Sequence, residues 1–182
     1  MLMPSLNKLL IMRKHICATL FSLFFLHVYA GENDRFINAY GGWQANAFKW
    51  NNALVNVMVG LEFEGKYHNA WEIYFDASTA YKTCETCHKV CSKSFFDYKT
   101  FAIGAAYKPV IRRAKNRLLR LRVGADLGAN EKGFQAGLEA GLEYSYSFRN
   151  GMQVFLIQKN DIVFWSRDHF RNGLLAGVKF PI

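Results

Sequence analysis

From Phe36 to Ile182 the chain is a succession of segments in which apolar and polar residues alternate with a period of two. That spacing belongs to β-strands whose two faces meet different surroundings. The clearest segment is 134–148, where Phe134, Ala136, Leu138, Ala140, Leu142, Tyr144, Tyr146 and Phe148 alternate with Gln135, Gly137, Glu139, Gly141, Glu143, Ser145 and Ser147. A helix would mix these two sets around its circumference. The pattern recurs at 53–64, with Ala53, Val55, Val57, Val59, Leu61 and Phe63 against Asn56, Gly60, Glu62 and Glu64. It recurs at 71–82, where Trp71, Ile73, Phe75 and Ala77 oppose Glu72, Tyr74, Asp76 and Ser78. At 118–128, Leu119, Leu121, Val123, Ala125 and Leu127 oppose Arg120, Arg122, Gly124, Asp126 and Gly128. In the last segment Phe170, Leu174, Ala176, Val178 and Phe180 oppose Arg171, Gly173, Gly177 and Lys179. Less regular strands fit at 35–48, 95–108 and 152–165, which brings the expected number to eight. Within 152–165, Gln158, Lys159, Asn160 and Asp161 interrupt the alternation and predict a bulge or a rim.

Turn signals separate the segments: Lys49 to Asn52, Gly65 to His68, Pro109 to Asn116, Asn130 to Gly133, Arg149 to Gly151 and Ser166 to Asp168. Strands of about 12 to 15 residues exceed the usual globular length and suit a tilted crossing of a bilayer with some overhang. The expected fold is all-β, an eight-stranded antiparallel up-and-down β-barrel of outer-membrane type.

Alternation alone does not say which face points inward, because membrane barrels and soluble lipocalin-like barrels both have one apolar and one polar face. The glycines decide it. Gly60, Gly104, Gly124, Gly128, Gly137, Gly141, Gly173 and Gly177 all lie on the face that carries the charges. A solvent-facing surface has no reason to lack side chains so often, whereas a narrow barrel interior must alternate small residues with large ones. On this reading Glu62, Glu72, Asp76, Asp126, Glu139 and Glu143 share the interior with Lys108, Arg120, Arg122, Arg171 and Lys179. Unpaired ions at such depth cost several kcal/mol each, so a salt-bridge lattice that fills the lumen is predicted. Aromatic residues near strand ends on the other face (Trp71, Tyr81, Phe134, Tyr144, Tyr146, Phe148, Phe180) suit interfacial girdles. Phe180 also lies close to the terminal aromatic position usual in outer-membrane barrels.

The 182 residues suffice for one domain. Arg13, Lys14 and His15 precede a mostly apolar run from Ile16 to Val28, and Val28-Tyr29-Ala30 stands before Gly31. This reads as a signal peptide cleaved after Ala30. Residues 1–30 are therefore an N-terminal extension with signal peptide and 31–182 the barrel. The full chain has a net charge of +9, and removing residues 1–30 leaves 20 basic against 14 acidic residues. That excess is scattered at strand spacing rather than gathered in the stripe of a nucleic-acid binder. It has one local cluster, Arg112, Arg113, Lys115 and Arg117, which reads as a solvated turn or as a contact for acidic lipid headgroups or a partner.

Candidate chemistry is sparse. Cys84-Glu85-Thr86-Cys87-His88 matches the attachment signature of c-type haem, and with Cys91 it also resembles a zinc ligand set. A hairpin loop offers no haem pocket, and exported thiols oxidise. A disulfide among Cys84, Cys87 and Cys91 is the favoured reading, and no cofactor or metal is expected. Ser166, Asp168 and His169 could be imagined as a hydrolytic site, but a triad normally gathers its members from separated positions. No Walker-type loop, HExxH or EF-hand pattern occurs.

Three stretches carry a family resemblance: Gly141-Leu142-Glu143-Tyr144, Asp161-Ile162-Val163-Phe164-Trp165, and His169 through Phe180. In these and in the order of its segments, the chain resembles the conjugative transposon TraO family of Bacteroidetes-type bacteria. The resemblance implies an outer-membrane component of a conjugative transfer apparatus, related in role to type IV secretion. Its partners would be outer-membrane lipid and other transfer-apparatus proteins, without direct contact to nucleic acid and without catalytic residues. Two rival readings stay open: an outer-membrane enzyme acting on an amphiphile such as lipid A, with His169 or His88 as base, and a soluble periplasmic barrel that binds an apolar ligand.

Overall fold

The computed structural model describes residues 34–46, 49–81, 98–130, 133–166 and 169–182. All of its regular structure is β: β1 (Asp34–Asn46), β2 (Lys49–Glu64), β3 (Ala70–Tyr81), β4 (Tyr98–Lys108), β5 (Val110–Ala114), β6 (Arg117–Asn130), β7 (Gly133–Ser147), β8 (Gln153–Phe164) and β9 (Phe170–Pro181). Each strand pairs antiparallel with its neighbour, β1 pairs with β9, and β4 pairs with β6, so the sheet closes on itself. Nine segments make eight staves because β4 and β5 are one stave broken at Pro109. Proline lacks the N–H that a ladder needs, and it survives in sheets at edges and bulges. Here the register shifts between Val110 and Arg112 just beyond it.

Three expectations need correction. The segment from Pro109 to Asn116 is not a turn: β5 continues the stave, and the turn shrinks to Lys115 and Asn116. Arg112 and Arg113 stand at the rim end of the stave, where residues on both faces are exposed, so charge there marks a position in the barrel rather than a loop. The Lys49–Asn52 stretch likewise belongs to β2, with a register shift between Ala45 and Asn46 absorbing the mismatch. The third correction concerns 152–165, which holds neither bulge nor rim; β8 keeps a single register against both neighbours. Lys159 and Asp161 point inward and Gln158 and Asn160 outward, so both faces turn polar while the alternation itself is unbroken.

The polarity of the wall is inverted relative to a water-soluble protein. Glu62, Glu72, Lys108, Arg120, Glu143 and Lys179 are completely buried, whereas Val57, Val59, Ile103, Leu138 and Leu174 are at least half exposed. Burying ions and exposing large aliphatic side chains is unfavourable in water. The pattern is favourable in hydrocarbon, where a closed barrel also satisfies every ladder hydrogen bond internally.

Candidate functional site

The interior comes first, because it decides whether anything can pass through. Its hub is Glu62 on β2. The Lys108 ammonium lies 2.7 Å from its carboxylate, Arg120 Nη1 2.7 Å and Lys179 Nζ 2.8 Å. Lys108 also reaches Glu72 at 2.8 Å and Glu143 at 2.7 Å, and Lys179 reaches Glu143 at 2.5 Å. Arg120 adds Glu64, and its Nε donates to the His68 carbonyl at 3.0 Å.

A second cluster forms around Lys159, which meets Asp76 at 2.9 Å, Asp161 at 3.2 Å and Glu139 at 3.5 Å. Arg122 joins the two clusters, pairing with Glu72 on one side and with Glu139 at 2.6 Å on the other. Its guanidinium also lies 4.9 Å from the Tyr74 ring centroid, a cation–π contact in the middle of the lumen. Around that point a small apolar layer of Tyr40, Met58, Tyr74, Phe155, Ile157 and Leu175 packs across the barrel.

Every residue expected in the interior is buried, but the roles divide. Asp126 has no ion pair among the described residues, and Arg171 donates from Nη2 to Ser166 Oγ at 3.3 Å. Several members of the network went unread in the sequence. Lys159 and Asp161 were hidden by the polar residues beside them. Asn38 donates to Glu62 and Glu72 at 2.9 and 2.7 Å, Asn56 to Asp76 at 2.7 Å, and Gln44 to Asp161 at 2.8 Å. Strand parity counted from Glu62 would have found Asn56, which shares β2 with it.

A lumen filled in this way leaves no continuous water path, since an eight-stranded barrel is just wide enough for its own side chains. Purified protein in a planar bilayer should therefore give no stepwise channel conductance, and reproducible open-channel steps would contradict the sealed lumen.

Of the two histidine constellations, Ser166 and His169 lie among the described residues. The His169 Nδ1–H donates to the Val163 carbonyl at 3.1 Å, and Ser166 Oγ is engaged by Arg171. Asp168, His88 and the cysteines Cys84, Cys87 and Cys91 lie outside the described residues, as do the predicted signal peptide and its cleavage point.

The outer wall carries a feature of its own. Asn160 on β8 is in register with Ala140 on β7 and Asn172 on β9, and Asn172 with Ala45 on β1. Asn160 and Asn172 are exposed. Gln158 Nε2 donates to Asn160 Oδ1 at 2.9 Å, Asn160 Nδ2 donates to the Ala140 carbonyl at 3.2 Å, and Asn172 Nδ2 donates to Asn160 Oδ1. Along their strands these amides are bracketed by exposed apolar side chains, Leu156 and Ile162 on β8 and Phe170 and Leu174 on β9. The result is a shallow row of amides and alanines inside an otherwise apolar belt. Asn160 Nδ2 also donates to Gln158 Oε1 at 3.2 Å, so Asn160 uses both donors and both lone pairs, while among the described residues Asn172 keeps a spare donor and a free carbonyl.

No family model matches the chain, and no curated protein does. Among the solved structures that resemble it are two membrane barrels. One is the backbone structure of the Yersinia pestis outer membrane protein Ail in a phospholipid bilayer nanodisc, at 13% identity and a TM-score of 0.51, covering 82% of this chain and 100% of that one. The other comes from de novo design of transmembrane β-barrels, at 12% identity and a TM-score of 0.43, covering 82% and 95%. The fold is thus an outer-membrane-type β-barrel.

Proposed function

We propose that this chain resides in the outer membrane, reached by way of its signal peptide, and serves there as a structural component of a conjugative DNA-transfer apparatus. The observation that carries the reading is the inverted wall: an ion-filled lumen enclosed by an apolar surface. Such a molecule has little to transport and acts through its outside. The row of Ala140, Asn160, Asn172 and Ala45 supplies a place on that outside where another membrane component can pack closely and exchange hydrogen bonds, since small residues and amides favour contact between membrane segments. The resemblance over 141–144, 161–165 and 169–180 supports the transfer apparatus as the setting. The proposal assigns the chain no catalytic step.

The test has two stages. Outer-membrane fractions from cells expressing the full chain should contain a band whose mobility changes on boiling, as closed barrels do. In a conjugating host, deletion of the gene should reduce transfer to background. Asn160→Leu with Asn172→Leu should impair transfer while keeping the heat-modifiable band. A soluble periplasmic band would refute the membrane location; normal transfer after deletion would refute the role.

A further inference from the structure

The outer face of the β5–β6 hairpin holds a cavity of about 360 Å³ lined by Arg112, Ala114, Arg117, Leu118, Leu119 and Tyr144. Strand register explains how it arises. Arg112, Leu119 and Tyr144 stand side by side across β5, β6 and β7, and Ala114, Arg117 and Tyr146 form the adjoining row. Arg112 and Arg117 are therefore diagonal neighbours, about 7 to 8 Å apart at the backbone and within reach of a common point for side chains of their length. Ala114 leaves open the space between them.

Two guanidiniums so placed repel each other, and no carboxylate among the described residues pairs with either. By contrast, every buried arginine or lysine among the described residues has an anionic or hydroxyl partner. The pair also sits where the wall changes character. On the rim side are the exposed Arg112, Arg113 and Arg117; toward the belt follow Leu119, Leu121 and Val123 on β6, with Tyr144 alongside. That gradient, from guanidinium through phenol to aliphatic surface within one groove, matches an amphiphile whose anionic group lies at the bilayer surface and whose chains run down the wall. Arginine suits a phosphate better than lysine does, because its planar fork donates two parallel hydrogen bonds.

We infer that this groove binds the phosphate of an acidic phospholipid, with Arg112 and Arg117 holding the phosphate oxygens and Leu119 and Tyr144 contacting the glycerol and upper acyl chain. The inference rests on the membrane reading given above. It makes the hairpin a lipid clamp that fixes the depth of this side of the barrel.

The experiment uses the refolded full-length protein. It is first inserted into vesicles of phosphatidylcholine alone and of phosphatidylcholine with phosphatidylglycerol, with the boiling-dependent mobility shift as the check of insertion. Native mass spectrometry then counts lipids retained after release from mixed micelles. Wild type should retain one phosphatidylglycerol in preference to phosphatidylcholine. Arg112→Gln with Arg117→Gln should bind it about 30-fold more weakly, as expected for two interfacial cations. Lys66→Gln, in the exposed β2–β3 turn, should leave binding unchanged. Equal retention of both lipids, or full retention by the double variant, would overturn the site. Complete displacement of phosphatidylglycerol by inorganic phosphate would show a free-anion site and overturn the lipid assignment. Failure of wild type to insert into either vesicle would defeat the membrane reading itself, whereas insertion without lipid preference defeats only the clamp.

Discussion

Glu62→Gln should lower the unfolding free energy of the barrel by about 3 to 5 kcal/mol, the range typical of removing one partner from a buried ionic set. The glutamine is nearly isosteric, so the loss comes from charge rather than volume. Lys108, Arg120 and Lys179 would stay buried but lose their shared anion. Glu143 offsets part of this, because it also meets Lys108 and Lys179. Urea titration of the folded band in vesicles reads the change. Adding Lys179→Met to Glu62→Gln should recover a measurable part of the loss, since one uncompensated cation leaves with its partner. A Glu62→Gln variant as stable as wild type would mean that the hub is solvated, which contradicts its complete burial.

Gly128→Ala should be the most damaging of the small substitutions. Gly128 faces Ala102 across the β4–β6 ladder. A Cβ there would overlap the Phe101 carbonyl oxygen and lie 2.7 Å from Ala102 Cα. Both are backbone atoms and cannot rotate away, so the two strands must separate. The expected cost is about 1 to 3 kcal/mol, read as a lower urea midpoint of the folded band. Gly65→Ala provides the comparison. Its nearest neighbour would be the Asn69 carbonyl at an ordinary 3.6 Å, so stability should change little. Similar midpoints for the two variants would show that this ladder has room that the backbone geometry denies.

The strands were legible because a barrel wall reports each residue's side through a single binary choice. Residues 134–148 obey that choice at every position and were bounded to within about a residue of β7 (Gly133–Ser147). Legibility failed where the choice loses meaning. At the rim, Arg112 and Arg113 stand in a strand whose two faces are both exposed, and no alternation remains to read. At 158–161 the outer face itself becomes polar, so Lys159 and Asp161 lost the contrast that marked Glu139 and Arg171 as interior. The partners inside the lumen lay beyond sequence reasoning for a different reason. Parity assigns a residue to the lumen, but only strand stagger brings Lys179 on β9 to Glu62 on β2 or Arg122 on β6 to Glu72 on β3.

That stagger has a bearing on how the barrel comes to be. The Glu62 carboxylate on β2 is neutralised from β4, β6 and β9, none of which is its neighbour in the wall. A half-built sheet of β1 to β4 would carry Glu62, Glu64 and Glu72 with Lys108 but without Arg120, Arg122 and Lys179, and would present two open edges, both of which hydrocarbon rejects. No subset of staves is therefore a tolerable lodger in the lipid. Entry into the bilayer and closure of the sheet must proceed together, and the same charges that seal the finished lumen exclude every partly assembled intermediate from the membrane core.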